Sequence, residues 1–313
     1  RRKEKMKILY AATDTIAVPL LEALASRNLV RAVFTAPDAP GKRGKTLLPT
    51  PIKAKALELG LEVYTPQHLR TEERKILRQL GADVLLSFCY GKIFGPKFLS
   101  LFKETFNVHP SLLPKYRGCS PIFGAICNGD SSTAISVQRI AEGIDEGDIY
   151  STLSLDLDGT ETVESLENRV ANLAPQLVLD TLDRLDSIPP RPQEGEASYT
   201  GFISKDESVV DWNKSARELH CFVRAMYPWP KAQTHFNGER LLITGAYGSA
   251  FDSFEKSQEA PGTVVALVKG KGLKVATGDG YLYVTRVLPA MKKEMDAASF
   301  VNGARTIIGA VLN

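Results

Sequence analysis

The chain has 313 residues, 43% of them hydrophobic and 24% charged, with a net charge of +3. That length suggests two domains, and the composition excludes a disordered or collagen-like chain in favour of a soluble globular one. So mild a positive charge means that any contact with nucleic acid must come from a local cluster rather than a global field. Cys89, Cys119, Cys127 and Cys221 show no CxxC or CxxH spacing, so they read as reduced buried thiols, and neither a disulfide framework nor a zinc site is expected. Residues 1–5 are basic and precede Met6, a plausible natural start, which makes them an appended or frayed tail. The apolar run from Ile8 to Ala12 is too short for a secretory leader, and no stretch approaches membrane-spanning length; a cytoplasmic location is expected.

Residues 7–12 read as a first buried strand. Ile16, Leu20, Leu21 and Leu24 then recur at helical spacing before a second strand over 30–35. Strand, helix and strand in this order form a βαβ unit of a parallel sheet. The first turn, TDTIA, holds no glycine; without the GxGxxG that lets backbone approach a pyrophosphate, a nicotinamide or flavin enzyme is disfavoured. A long loop follows over 37–51. Its Gly44-Lys45-Thr46 imitates the end of a P-loop, but Ala39 stands where the first glycine belongs, and Pro49 and Pro51 oppose the helix that must follow. What remains is an exposed loop carrying Lys42, Arg43 and Lys45, either a solvated charge run or a grip on phosphate backbone.

Alternation continues with a helix over 52–59, a strand over 61–64, a helix over 72–80 and an unbroken apolar strand over 84–88. Residues 89–93 form the turn at that strand's carboxyl end. A helix is expected over 122–127, with strands over 134–139 and 150–155. From Thr162 a longer helix places Leu166, Val170, Leu173 and Leu177 on one face, with Pro175 bending it. The segment IPPRPQEGEA, 188–197, has linker composition, which sets a first domain at 1–187, a linker at 188–205 and a second domain at 206–313. There, a helix over 216–226 precedes short strands over 240–244, 262–267, 273–276 and 281–284, with Gly278-Asp279-Gly280 as a hairpin signal; these suggest a small barrel.

The chemistry lies between Phe106 and Asp148. Asn107 and His109 end a short apolar strand and project to the same side, while Val108 turns into the sheet and Pro110 forces the chain to leave it. A polar pair at the carboxyl end of a buried strand is where open α/β sheets place ligands. Downstream, GIDEGD carries Asp145 and Asp148 on an acidic, glycine-rich turn. Asn107, His109 and Asp145 are expected to form one catalytic cluster, although an isolated His at a strand end is more often structural. The rival is a hydrolytic Ser/His/Asp set through Ser111, which lacks a GxSxG elbow.

NVHPSLLPKYRG followed by GIDEGD resembles the signature of the 10-formyltetrahydrofolate-dependent formyltransferase family. The likeness extends through PDAPGKRGKTLLPTPIKAKA, YGKI, VRAMYPWPKA, PGTV, VATGDGYLYV and LPAMKK, and so covers nearly all of the chain after Met6. Within that family it is to members that formylate the amino group of methionine carried on initiator tRNA, for translation initiation. The resemblance implies an α/β, Rossmann-like domain joined to a barrel like the oligonucleotide-binding (OB) fold. It also implies 10-formyltetrahydrofolate as co-substrate and initiator methionyl-tRNA as partner; a monomer that meets no membrane is expected, and no metal, because no cluster of His, Cys and carboxylates has ligand spacing. Asn107, His109 and Asp145 fall on the family's catalytic triplet. Ser111, Leu112, Leu113 and Pro114 match its tetrahydrofolate-binding segment, and Phe88, Cys89, Tyr90 and Gly91 would border the pterin. Lys42, Arg43 and Lys45 match the insertion that meets the tRNA acceptor end, and Lys292 and Lys293 lie in a segment that faces tRNA. The chain departs from the pattern in its first turn, Tyr10-Ala11-Ala12-Thr13-Asp14, where Gly and Pro are usual, and at Cys119 and Ser120, where small alanines are common.

Formyl transfer needs donors aimed at an oxygen that becomes negative and a base for the amine proton. Asn107 would offer a neutral donor and protonated His109 a charged one, while Asp145 would keep His109 protonated and position a proton-carrying water. Two alternatives stay open. One is the same chemistry on a small amine, glycinamide ribonucleotide or a nucleotide-linked amino sugar, which has no need for the 42–45 loop or the barrel. The other is a catalytically silent RNA-binding protein, whose mark would be loss of Asn107, His109 or Asp145.

Overall fold

The structure, a computed structural model, describes residues 6–41 and 44–313, so the expectations for residues 1–5, Lys42 and Arg43 fall outside the described residues. The chain divides into two compact units. The first comprises Arg1–Gly118, Ala134–Ser154 and Glu167–Tyr199; the second comprises Cys119–Thr133, Leu155–Leu166 and Thr200–Asn313.

The first unit grows by alternation of strand and helix. β1 (Ile8–Ala12), α1 (Val18–Ser26) and β2 (Val30–Phe34) form the opening βαβ unit, with β1 and β2 parallel. β3 (Ala39–Pro40) and β4 (Leu47–Leu48) pair antiparallel, so a short hairpin frames the basic loop. Thr50 caps α2 (Pro51–Glu58): its hydroxyl accepts from the Lys53 N–H, and Pro51, expected to bar a helix here, instead opens it from the first turn, where no helical bond is lost. β5 (Val63–Tyr64), α3 (Thr71–Leu80), β6 (Val84–Phe88), α4 (Pro96–Leu99) and β7 (Glu104–His109) follow. After them come β8 (Arg117–Gly118), α5 (Pro121–Cys127), β9 (Ser132–Gln138), β10 (Ile149–Asp156), α6 (Val163–Asp183) and β11 (Tyr199–Thr200).

Seven strands make one sheet in the order β10-β9-β7-β6-β1-β2-β5. β5, β2, β1, β6 and β7 run parallel, and β9 is antiparallel to β7. β1 and β6 are buried at every position, which is why both read as unbroken apolar runs. The strand order reverses between β1 and β6, and the crevice outside such a switch point is where doubly wound sheets take ligands. On α6 the buried stripe is Leu166, Val170, Ala174 and Val178, whereas Leu173 is 37% exposed. Four-residue steps give the core position to the small Ala174 and put Leu173 outside, a register that hydrophobicity alone misplaces.

In the second unit α7 (Ala216–Ala225) opens on a capping box between Ser215 and Glu218. β12 (Ala232–Phe236), β13 (Glu239–Ala246), β14 (Val264–Val268), β15 (Gly272–Ala276), β16 (Tyr281–Pro289) and β17 (Met295–Asp296) precede α8 (Ala297–Gly303). The order is β12-β13-β16-β15-β14, with β17 on β16 and antiparallel pairing throughout. The last residues bridge the two edges: His235 and Asn313 exchange backbone hydrogen bonds at one, and Val264 pairs with Gly309 and Ala310 at the other. A barrel is thereby closed and neither edge is left open. Phe123 of α5 packs against the core that holds Trp212, Leu219 and Val223, and α5 lies on α7. That packing explains why 119–133 joins the second unit although it falls within 1–187, while the proline-rich stretch stays with the first unit as far as Tyr199.

The four cysteines are free, but Cys119 is exposed and only Cys221 is buried, against the expectation of four buried thiols. No helix among the described residues is long and apolar enough to cross a membrane. Beside Cys221, the His220 Nδ1 accepts from Arg224 Nε at 3.0 Å, and its Nε2 donates to the carbonyls of Tyr247 and Gly248 at 3.2 and 3.1 Å. Burial first, and then the charge of Arg224, pushes His220 down to about 4. The unfolded chain therefore binds a proton there that the folded chain refuses. This stability is fully present above about pH 6.5 and is lost as pH falls towards the folded value, a difference on the order of 3 kcal/mol. In urea unfolding across that window, His220→Gln is expected to flatten the decline of stability; an unchanged slope would refute the assignment.

Candidate active site

β7 delivers Asn107 and His109 to the carboxyl end of the sheet. Asn107 is in register with Ser87 of β6 on one side and Gln138 of β9 on the other, and His109 faces Ser136 of β9. Pro110 then releases the chain into a loop that returns as β8. The Tyr116 carbonyl of that loop accepts from the buried His109 Nε2 at 2.8 Å, which fixes the tautomer with its hydrogen on Nε2. His109 Nδ1 lies 3.5 Å from Asp145 Oδ2.

Asp145 is held at both oxygens: Oδ2 accepts from the Gly118 N–H at 2.8 Å and Oδ1 from Gln138 Nε2 at 2.8 Å. Its backbone sits at φ +55, a left-handed conformation that Asp tolerates better than most residues. Two residues on, a Cβ on Gly147 would lie 1.7 Å from the Arg139 carbonyl, so the turn demands a glycine there. The same Gln138 Nε2 also donates to Asn107 Oδ1 at 3.2 Å. That contact turns Asn107 Nδ2 the other way, where its bond to the Ser87 carbonyl is long, at 3.4 Å. Asn107, His109 and Asp145 thus join one network, with Gln138 at its centre. Gln138 is buried, and its Oε1 has no hydrogen-bond partner among the described residues.

Burial is the largest influence on His109 and holds its pKa below the ordinary value, although Asp145 and the Tyr116 carbonyl pull upwards. Burial thus opposes the protonated His109 expected from the sequence, while Asp145 and the Tyr116 carbonyl favour it. Cys89 keeps some surface accessible, but burial, then the charges of Asp14, Glu167 and Asp145, push its thiol up to about 12. It is no nucleophile at neutral pH. Ser111 Oγ donates to the Lys115 carbonyl at 2.6 Å and not to His109. The geometry thus removes the hydrolytic Ser/His/Asp alternative.

Ser111 to Pro114 follow β7 directly, with Leu112 exposed and the other three buried. Phe88 to Gly91 follow the neighbouring β6, but the Phe88 and Tyr90 side chains are buried, leaving Gly91 and part of Cys89 at the surface. Lys45 is exposed between β3 and β4, and Lys42 and Arg43 lie outside the described residues. Lys292 and Lys293 are exposed between β16 and β17, in the second unit. Sequence reasoning missed Gln138, whose only signal was its place in an alternating strand. It also missed the Tyr116 carbonyl and the Gly118 N–H, for which the sequence holds no signal beyond the YRG phrase.

Residues 4–182 match the family model for formyl transferase, and 202–305 match that for the formyl transferase C-terminal domain. A methionyl-tRNA formyltransferase of Symbiobacterium thermophilum is 39% identical over 311 residues, 97% of this chain and 94% of its own. One of Borrelia hermsii is 35% identical over 98% of this chain and all of its own. The crystal structure of HypX from Aquifex aeolicus in complex with tetrahydrofolic acid superposes with a TM-score of 0.63 at 17% identity. It is covered over 95% of this chain but only 47% of that one, so the chain spans about half the length of HypX, and the likeness is one of fold. With two consecutive family models matched and relatives aligned nearly end to end, the chain belongs to the formyl transferase family.

Proposed function

We propose that this chain transfers the formyl group of 10-formyltetrahydrofolate to the amino group of methionine on initiator tRNA, as a cytoplasmic monomer. The observation that carries the reading is the single network joining Asn107, His109 and Asp145 at the end of β7. Near-full-length similarity to methionyl-tRNA formyltransferases selects the acceptor. The long-bonded Asn107 Nδ2 and the unpartnered Gln138 Oε1 leave polar capacity at the carboxyl ends of β6 and β7. That capacity fits the folate: Ser111 to Pro114 would hold it, and Phe88 to Gly91 would border the pterin, Phe88 and Tyr90 through their backbone.

The folate supplies an activated formyl carbon, whose oxygen gains negative charge as the amine attacks. Asn107 Nδ2 is the neutral donor for that oxygen, and its direction is set because Gln138 occupies Oδ1. His109 acts as base rather than charged donor: neutral at rest, it keeps its hydrogen on Nε2 and takes the amine proton at Nδ1, beside Asp145. The imidazolium so formed has an acceptor at each nitrogen, and it would give the proton to the folate nitrogen as the bond from that nitrogen to the formyl carbon breaks. On the tRNA side, Lys42, Arg43 and Lys45 grip phosphate, as do Lys292 and Lys293 between β16 and β17. A small amine would leave that loop without a task, and a silent RNA-binding protein would have no reason to keep all three of the network's residues.

The deciding assay offers purified protein 10-formyltetrahydrofolate and charged initiator tRNA, with glycinamide ribonucleotide as competitor; preference for the small amine would overturn the acceptor. Asn107→Ala and His109→Ala should each lower kcat by about a hundredfold or more while folate still binds. Wild-type turnover in either would remove that residue from the mechanism. Neutralising Lys42, Arg43 and Lys45 together should raise the KM for tRNA and flatten its salt dependence, and an equal effect on a minimal methionyl ester would argue against a tRNA contact. In an NMR titration of the ligand-free protein, the His109 midpoint should fall below about 6.5, the ordinary value. A midpoint above it would restore the protonated donor.

A further inference from the structure

Residues 188–205 have the composition of a linker, and the formyl-transfer reading gives them nothing to do. Their contacts are not those of a linker. Gln193 Nε2 donates to two carbonyls of the acidic turn, Asp145 at 2.7 Å and Gly147 at 2.9 Å, while its Oε1 accepts from Arg117 Nη2 at 2.8 Å and Nε at 3.2 Å. Two residues earlier, Arg191 exchanges a pair of backbone hydrogen bonds with Ile149. Five residues later, Ser198 grips the loop after β7. Its Oγ accepts from the Tyr116 N–H at 2.9 Å, its carbonyl from the Arg117 N–H at 2.9 Å, and its own N–H donates to the Pro114 carbonyl at 3.1 Å.

One short segment is thus bonded to both pieces of chain that hold His109. The first is the turn that carries Asp145 to Nδ1, and the second is the loop whose Tyr116 carbonyl takes the Nε2 hydrogen. Neither piece is regular structure, and Asp145 occupies the left-handed region, a conformation that persists where its surroundings over-determine it. Four side-chain bonds from one glutamine and three bonds from one serine supply that determination.

We infer that residues 191–198 are a strap that positions the reaction centre. Gln193 and Ser198 act as positioning residues, through Asp145 and Tyr116 and without touching substrate. The inference rests on the formyl-transfer reading above. Displacement of a reacting group by about 1 Å costs up to about a hundredfold in rate, so the strap should govern turnover more than affinity.

The test uses the full chain. Gln193→Glu keeps the shape and the acceptor for Arg117 but removes the donors to the two carbonyls; Ser198→Ala removes the acceptor for Tyr116. Each should lower kcat by about 10- to 100-fold while the KM for folate and for tRNA stays within about threefold. Glu194→Gln, exposed in the same segment, should match wild type. Hydrogen exchange on the ligand-free protein reads the strap without turnover: amides over 145–149 should exchange at least about tenfold faster in Gln193→Glu, with those of β1 unchanged. Wild-type kcat together with wild-type exchange in a folded Gln193→Glu would overturn the inference. Should that variant fail to fold, Ser198→Ala decides on the same readings. An inactive wild type would sink the formyl-transfer reading instead, and the exchange measurement would still decide whether the strap exists.

Discussion

A buried imidazole with an acceptor facing each of its nitrogens is the constraint from which the rest of the site follows. Polar groups taken out of water must find partners, and His109 is almost wholly buried at the last position of β7. Pro110 ends the strand, the loop turns back within seven residues to present the Tyr116 carbonyl, and the acidic turn brings Asp145 to the other side. Gly147 lets that turn pass against the Arg139 backbone, and the antiparallel β9 puts Gln138 between Asn107 and Asp145. Each of these choices looks local in the sequence. Together they surround one ring, giving its Nε2 hydrogen an acceptor and leaving Nδ1 beside a carboxylate.

Two forces of opposite sign act on that ring, and their balance sets its chemistry. Burial disfavours the charged imidazolium, Asp145 and the Tyr116 carbonyl favour it, and burial prevails. His220 shows the same contest tipped further: a guanidinium faces its Nδ1 where His109 has a carboxylate, and its pKa drops to about 4. The contrast assigns the two histidines to different work. His220 is locked neutral and pins α7 to the 247–248 backbone. His109 keeps a carboxylate within reach of Nδ1, and so can hold a proton for the duration of a reaction.

Much of this was legible in the chain. The β1 and β6 runs, the βαβ opening and the Asn-x-His pair at a strand's end follow from periodicity and from what proline cannot do. The joining of Asn107 and His109 with Asp145, nearly forty residues on, rested on family resemblance, because no spacing rule connects a strand end to a distant turn. Gln138 was invisible because an alternating strand gives every polar residue the same standing until its cross-strand partner is known. Gln193 was worse than invisible: proline and charge around it spell a linker, since composition reports what a segment can do without partners and not what it does with them. The α6 stripe slipped for a similar reason, as Ala174 is too small to announce a core position that Leu173 seems to claim.

The division of the chain adds one consequence. Gly118 is the last residue of the first unit's opening segment, and its N–H orients Asp145; Cys119 begins a segment that folds with α5 and α7 in the second unit. Chain connectivity alone therefore leaves a single peptide bond between a group that fixes the carboxylate and a segment whose core lies elsewhere. The same economy recurs at Tyr199 and Thr200, where the strap that holds Tyr116 gives way to the second unit in one step. At both places a segment bonded around His109 ends at the boundary itself, with no spacer between.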